Sequence, residues 1–206
     1  MHLATPTRQP PDKRSADILA LVRNAFAEKG FDGASMQDLA RAAGMSVGNF
    51  YRYFPSKAAI VEQLIAADLD QMSADFAAAL SAERPLQALR AHIAARIADT
   101  QACADGQLWA EITAAALRKP EIGAAACHME AVITGYLTRL FAAVTGLDPA
   151  EAARRFAGHA GFVILLVKSA AMSPVDPGLP RDDLNTLILR TIDQLLDEIA
   201  SASVKV

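Results

Sequence analysis

Apolar residues recur along this chain at steps of three and four, and no stretch alternates with the period of two that a half-buried strand requires. From Ser15 to Lys29, Ile18, Val22, Ala25 and Phe26 fall at helical spacing. Gly30 follows as a stop, with Phe31 placed to fold back on the last turn. Ser35 and Asp38 stand at the N-cap and third position of a helix beginning near Met36, a variant of the capping box that satisfies the free amides of the first turn. Leu39, Ala42 and Ala43 form the narrow apolar face of that helix, and Gly44 supplies the left-handed position at which the chain turns. Ser46 caps a second helix of about two turns, ended by Pro55 because the residue before a proline disfavours helical geometry. Helix, glycine turn and short helix make a helix-turn-helix.

No Pro or Gly occurs from Ser56 to about Ala82, which predicts a long helix. Ile60 and Leu64 would face the N-terminal core, while Val61, Ile65, Leu69, Met72, Phe76 and Leu80 continue along it as a lever into a second core. Thereafter Pro85, Pro120, Pro149, Pro174, Pro177 and Pro180 fall outside every apolar-periodic run, which predicts helices near 85–103, 106–118, 121–145, 149–172 and 181–200. Asp148-Pro149-Ala150-Glu151 is the clearest start, with an N-cap, a proline at the first position and a glutamate at the third. The fold class is all-α.

The short second helix carries unusual chemistry. Phe50 and Phe54, four apart, share its inner face, which leaves Val47, Gly48, Asn49, Arg52 and Tyr53 around the rest, with Tyr51 beside them. An amide that pairs with adenine, a guanidinium for guanine or phosphate, phenols for phosphate oxygens and a glycine that allows close approach suit DNA. Ser56 and Lys57 open the next helix as a candidate phosphate clamp, a positive helix end with an ammonium beside it.

The ordered run Phe26, Glu28, Lys29-Gly30-Phe31, Ser35, Leu39-Ala40-Arg41-Ala42-Ala43-Gly44, Ser46, Gly48 and Tyr51-Arg52-Tyr53-Phe54-Pro55-Ser56-Lys57 resembles the TetR family of bacterial transcriptional regulators, from Ile18 to about Leu64. The resemblance implies an N-terminal three-helix helix-turn-helix DNA-binding domain, here residues 15–60. It also implies a C-terminal helical domain for ligand binding and dimerisation, here 61–206. Carried over by position, the DNA contacts are Ser35, Ser46, Gly48, Asn49, Tyr51, Arg52, Tyr53 and Lys57. Val47 is a departure, because the family very often has Lys or Arg there; either a contact is missing or an apolar contact with a thymine methyl replaces it.

Charge agrees with that division. Residues 1–57 hold 8 Lys and Arg against 5 Asp and Glu, while residues 58–206 hold 12 against 18. A net charge of −3 argues against a general nucleic-acid coat and for a modest footprint. Residues 1–14, with Pro6, Pro10, Pro11 and Arg8, read as a disordered arm: an inert tail or, with Lys13 and Arg14, a minor-groove arm. Two cysteines make no disulfide framework, no export signal opens the chain, and the longest apolar run, Ala160 to Val167, is too short to span a bilayer. The expectation is a cytoplasmic protein without membrane contact.

In the C-terminal part, Ala153, Ala157, Gly158 and Gly161 followed by the apolar Phe162–Val167 run exceed what burial on one side absorbs. Together with Leu184, Leu187, Leu189, Ile188, Ile192, Leu195, Leu196 and Ile199 of the last helix they predict a homodimer built as a four-helix core. The family places a small-molecule effector among the helices between these and the long helix. Candidate lining residues are Met72, Phe76, Leu89, Ile93, Arg96, Trp109, Ile112, Thr113, Met129, Ile133, Tyr136 and Phe162, each of which also reads as ordinary core. His92, Arg96 and Asp99 form either a solvated, locally paired face or an anion site. Cys103, Cys127, His128, Glu130 and His159 match no zinc spacing, and no nucleophile elbow occurs, so no metal, cofactor or catalytic residue is expected. The leading function is a ligand-responsive repressor on a palindromic operator, partnered by double-stranded DNA, an effector and its own copy. It competes with a helical enzyme with a vestigial helix-turn-helix and with a helical adaptor working only through protein contacts, which would leave Asn49, Tyr51, Tyr53 and Lys57 without purpose.

Overall fold

The computed structural model describes residues 13–98, 102–173 and 180–202, with the side chains of 13, 14 and 102–105 left out. Among the described residues the secondary structure is helical, in nine elements: α1 (Lys13–Lys29), α2 (Met36–Ala42), α3 (Val47–Tyr53), α4 (Lys57–Ser81), α5 (Pro85–Ala98), α6 (Ala102–Ala116), α7 (Pro120–Thr145), α8 (Pro149–Met172) and α9 (Arg181–Ser201). Of the expected arm at residues 1–14, residues 1–12 lie outside the described residues, as do Asp99, the Cys103 side chain, Pro174 and Pro177, while Lys13 and Arg14 belong to α1.

The punctuation works as the residues require. Gly30 and Gly44 adopt φ of +73° and +64°, left-handed positions that an L side chain rarely takes. The predicted cap at Asp148 is formed, its carboxylate accepting from the amides of Ala150 and Glu151. Phe31 folds back as expected, its ring stacked 5.4 Å from that of Phe26.

Two apolar clusters hold the chain. The first packs Val22, Phe26, Phe31, Leu39, Phe50, Phe54, Ile60, Val61 and Leu64, all essentially inaccessible to water. This cluster does not stop at residue 60. Leu108, Ile112 and Ala115 of α6 and Ile122 of α7 belong to it as well, so the C-terminal body completes the core of the N-terminal helices. The second cluster joins Leu89, Ile93 and Ile97 of α5 to Leu137, Leu140 and Phe141 of α7, Phe156, Ala160 and Val163 of α8, and Ile188, Ile192, Leu196 and Ile199 of α9. The long helix α4 runs from one to the other as predicted, with one difference. Leu80 is 42% exposed and Ala79 is buried in its place, because the end of α4 turns its small residue toward the second cluster.

α8 is the one helix among the described residues whose length and average apolarity match a membrane span. Only residues 156–167 lie between Arg155 and Lys168, however, about 18 Å of helix against a hydrocarbon core of about 30 Å. Its Ala152, Phe156, Ala160 and Val163 edge packs into the second cluster.

Because α6 closes the first cluster, truncating it should loosen helices that lie far away in sequence. Ile112→Ala is expected to lower unfolding free energy by about 2–5 kcal/mol, the usual range for emptying a buried aliphatic site. Urea unfolding followed by circular dichroism measures it; an unchanged midpoint would show that α6 is not part of that core.

Candidate nucleic-acid interface

α2 and α3 are set by their caps. The Ser35 hydroxyl accepts from the Asp38 amide at 3.1 Å, and the Asp38 carboxylate accepts in return from the Ser35 amide at 3.0 Å and from its hydroxyl. The capping box is therefore complete. Lys29 adds its ammonium to the same carboxylate at 2.6 Å, and Arg41 lies at 3.5 Å. These bonds, the Lys29 one foremost and then those from Ser35, hold the Asp38 carboxyl far below the usual carboxylate range. At α3, the Ser46 hydroxyl accepts from the Asn49 amide, and the chain leaves the helix at Phe54 in extended geometry.

Behind α3, Phe50 and Phe54 are fully buried with their rings 5.1 Å apart, which fixes the roll of the helix. Its other side is open. Ser46, Val47, Gly48, Tyr51 and Arg52 are exposed, Tyr51 at 47% and Val47 at 36%, and Asn49 is half-buried beside them. Nothing lies within contact distance of a side chain built at Gly48, so the groove-facing backbone is clear. Tyr53 is partly withdrawn, packed against the first cluster and 6.3 Å from the Phe54 ring. An exposed strip of hydroxyl, amide, phenol and guanidinium on one short helix is an arrangement that can enter a major groove.

Two predicted contacts are placed differently. The Ser35 hydroxyl has given its single proton to Asp38, so it has none to offer a phosphate while the box is closed. The Lys57 ammonium points back into the protein: it donates to the carbonyls of Phe31 at 2.6 Å and Asp32 at 3.2 Å and sits 5.1 Å above the Phe31 ring. Burial, and then the neighbouring Lys119, push its pKa down. The reason is that the turn after Gly30 leaves carbonyls near the start of α4, and an ammonium is the donor within reach.

Around that turn lie groups that local sequence reasoning passed over. Glu111 of α6 accepts the Phe31 amide at 2.9 Å; Asp32 takes Arg118 at 2.8 Å and Lys119 at 2.5 Å. Those bonds, Lys119 first, lower the Asp32 pKa to about 2. The separations of 80 to 87 residues leave no local signal, although Arg118-Lys119 before Pro120 is a basic pair at a helix boundary.

The twelve candidate effector residues are divided between the two clusters and the surface. Leu89 and Ile93 are buried in the second cluster with Phe76 and Ile133 packed against it; Ile112 is buried in the first, with Trp109 and Met129 against it. Met72, Thr113 and Tyr136 are half-buried, while Arg96 and Phe162 face outward. Arg96 is carried outward because Ile93 and Ile97 take the inner face of α5, and Phe162 because Val163 does so on α8. The nearest approach to a binding wall is the pair Phe76 and Tyr136, 5.3 Å apart, with the His92 ring 6.5 Å from Phe76 and Arg139 over Tyr136. Elsewhere an open cleft is lined by Arg84, Pro85, Leu86, Gln87, Arg90 and Val144, and none of the twelve enters it. Cys127 is exposed.

Fold and site together define an all-helical protein with an N-terminal helix-turn-helix whose reading face is open to solvent. Residues 18–64 match the family described as "Bacterial regulatory proteins, tetR family". The chain is 46% identical over 54 residues to the HTH-type transcriptional regulator EthR of Mycolicibacterium smegmatis, covering 26% of this chain and 25% of that one. It is 28% identical over 126 residues to the HTH-type transcriptional regulator UidR of Escherichia coli K12, covering 59% and 61%. Its fold matches Salmonella enterica GusR with a TM-score of 0.66 at 26% identity, over 92% of this chain and 98% of the other. Residues 18–64 thus carry the N-terminal region of the tetR family of bacterial regulatory proteins. The chain's sequence matches span between a quarter and about three-fifths of those curated relatives' length. The relatives are regulators, not enzymes.

The depressed Asp38 and Asp32 carboxyls imply an acid sensitivity of definite sign. A carboxyl whose folded pKa lies below its unfolded value of about 4 stabilises the fold above that value, and the contribution is lost as pH falls through the folded pKa. Asp38→Asn should therefore lower the melting temperature at pH 7, and the gap from wild type should shrink between about pH 4 and pH 2. Thermal melts across that range read it; a gap independent of pH would remove the charged capping box as its source.

Proposed function

We propose that this protein is a ligand-responsive transcriptional repressor that binds a near-palindromic DNA operator as a homodimer and is released by a small-molecule effector. The observation that carries the reading is α3, with both phenylalanines buried behind it and Ser46, Val47, Gly48, Tyr51 and Arg52 exposed in front. Neutral groups read base edges or hold phosphates, and Val47 in the place of a cation favours a thymine methyl. The family model matches residues 18–64, and relatives in sequence bear the name of transcriptional regulators, which supports this assignment. An enzyme with a vestigial helix-turn-helix is the weaker reading, since a vestigial reader has no cause to keep this face open and capped.

The dimer reading is supported by the outer side of α8 and α9. Ala157, Gly158, Gly161, Phe162 and Leu165 of α8 and Leu187 of α9 are exposed, with Phe162 at 41%, Leu165 at 57% and Leu187 at 48%. Small residues flanked by large apolar ones allow close approach of a second copy, and a two-fold axis there would set the two reading helices for grooves about 34–36 Å apart. For the effector, the interval between the two clusters along α4, α5 and α7, at Met72, Phe76, His92, Ile133 and Tyr136, is the place that the aromatic grouping supports. A ligand held there would favour one separation of the reading helices over another, and by linkage DNA would weaken the ligand by the same factor.

Labelled duplexes tiling the DNA that flanks its own gene test the assignment. Wild type should bind one of them; Tyr51→Ala should weaken binding to all sequences about tenfold, and Asn49→Ala should cost about 1–3 kcal/mol at one base position and relax preference there. Wild type that ignores every duplex at low salt, or two variants that bind as wild type does, would sink the assignment.

The dimer face has its own test. Leu165→Glu combined with Phe162→Glu should give a monomer in sedimentation equilibrium at micromolar concentration and remove operator binding, because each copy alone offers a single reading helix. A double variant that sediments as wild type does would place the dimer elsewhere.

A further inference from the structure

The turn joining α1 to α2 is gripped by Glu111 of α6, by Arg118 and Lys119 just after it, and by Lys57 at the start of α4. Its Phe31 amide donates to Glu111, its Phe31 and Asp32 carbonyls accept from Lys57, and its Asp32 carboxylate takes both Arg118 and Lys119. The Phe31 ring lies under two ammoniums, with Lys57 at 5.1 Å and Lys119 at 5.0 Å. Gly30 carries the left-handed φ, and a side chain there would meet the Glu111 carboxylate at 3.0 Å, so turn and helix are fitted to each other.

α6 is anchored at its other end too. Gly106 lies so close to α8 that a Cβ in its place would stand 2.0 Å from the Ala171 carbonyl oxygen. One helix therefore bridges α8, whose outer side is the proposed dimer face, and the turn that leads into Ser35, the cap of the first helix of the reader. This path meets the lever of α4 at its first residue, Lys57.

We propose that Glu111, Arg118, Lys119 and Lys57 form a latch on the α1–α2 turn, through which α6 sets the position of the DNA-reading helices, and that these four act as positioning residues. The proposal rests on the N-terminal helices being a DNA reader and deepens that reading by naming how the body regulates it. The character of the contacts suits a device that opens. Asp32 and Arg118 are more than half exposed, and exposed ion pairs are individually weak, so a modest shift of α6 separates them without unfolding the core beneath. The buried apolar contact of Ile112 and Ala115 with the N-terminal cluster keeps the two parts associated while the polar contacts rearrange.

The test uses the full-length protein and amide hydrogen exchange. Without DNA, Glu111→Ala should speed exchange in the turn peptide about tenfold, and Glu111→Gln, which keeps an acceptor oxygen, should speed it less. Asp32→Lys should act likewise, with Lys119→Asp added to it restoring part of the protection. With a bound duplex, exchange across residues 111–119 should change in wild type and stay unchanged in Glu111→Ala. Lys57→Met, Arg118→Met and Lys119→Met should keep the wild-type slope of log Kd against log salt, since positioning residues release no counterions. Turn exchange that ignores Glu111 and Asp32 would overturn the latch; a slope reduced by about one per substitution would overturn it in favour of direct phosphate contact. If wild type binds no duplex, the DNA reading fails, and the exchange rates without DNA still decide whether the turn is latched.

Discussion

Everything that the N-terminal helices present to the outside depends on four buried rings. Phe26, Phe31, Phe50 and Phe54 fill the first cluster with almost no exposure, and each comes from a different place: the last turn of α1, the turn after it, the middle of α3 and its end. A seven-residue helix such as α3 does not hold together by its own propensity, because nucleation costs more than two turns return. It exists because Phe50 and Phe54 are taken out of water on one side and because Ser46 caps it. The same burial fixes its roll. With both phenylalanines pinned inward, Gly48, Tyr51 and Arg52 have no other direction than outward, so the chemistry of the reading face follows from the packing behind it.

That core is not self-sufficient, and this changes how the two halves relate. Leu108, Ile112, Ala115 and Ile122 contribute buried surface to it from beyond residue 100. A reader whose core is closed by the body that would sense an effector cannot be moved by that body without some rearrangement at the contact. Apolar packing of this kind is poorly graded, since cores shift between discrete arrangements and do not deform smoothly. The polar contacts around Phe31 and Asp32, being partly solvated, are the softer part of the same interface.

The reader was legible in the sequence because its signals are local. Ser35 with Asp38, Gly44, Ser46 and the Phe50–Phe54 pair each sit within a few residues of what they organise, and the structure realises them as predicted. The helix starts at Pro85, Pro120 and Pro149 were legible for the same reason, each being a proline at the first helical position. What escaped was long-range. Nothing near Lys57 announces that its ammonium will bond to carbonyls of residues 31 and 32, and nothing near Glu111 announces an amide 80 residues earlier. The candidate lining residues are divided between the two clusters for a related cause. Periodicity says which side of a helix is inward but not which of two cores inward leads to, and α6 turned to the first cluster while α5 turned to the second.

These placements also bear on how such a reader would gain affinity. Several of the cations in the N-terminal part are spent within the chain, Lys29 on Asp38 and Lys57 on the turn carbonyls, so the electrostatic footprint of one copy is smaller than its count of basic residues suggests. Val47 removes a further cation from the reading helix. Non-specific attraction to a duplex grows with the number of phosphates neutralised, and discrimination comes from base-edge contacts and shape. A reading helix whose exposed groups include one cation, Arg52, beside neutral donors and acceptors gives up the first more than the second. For such a surface, repeating the contact on a two-fold axis is the economical way to reach useful affinity, and the uncovered apolar side of α8 and α9 is what would make that repetition possible.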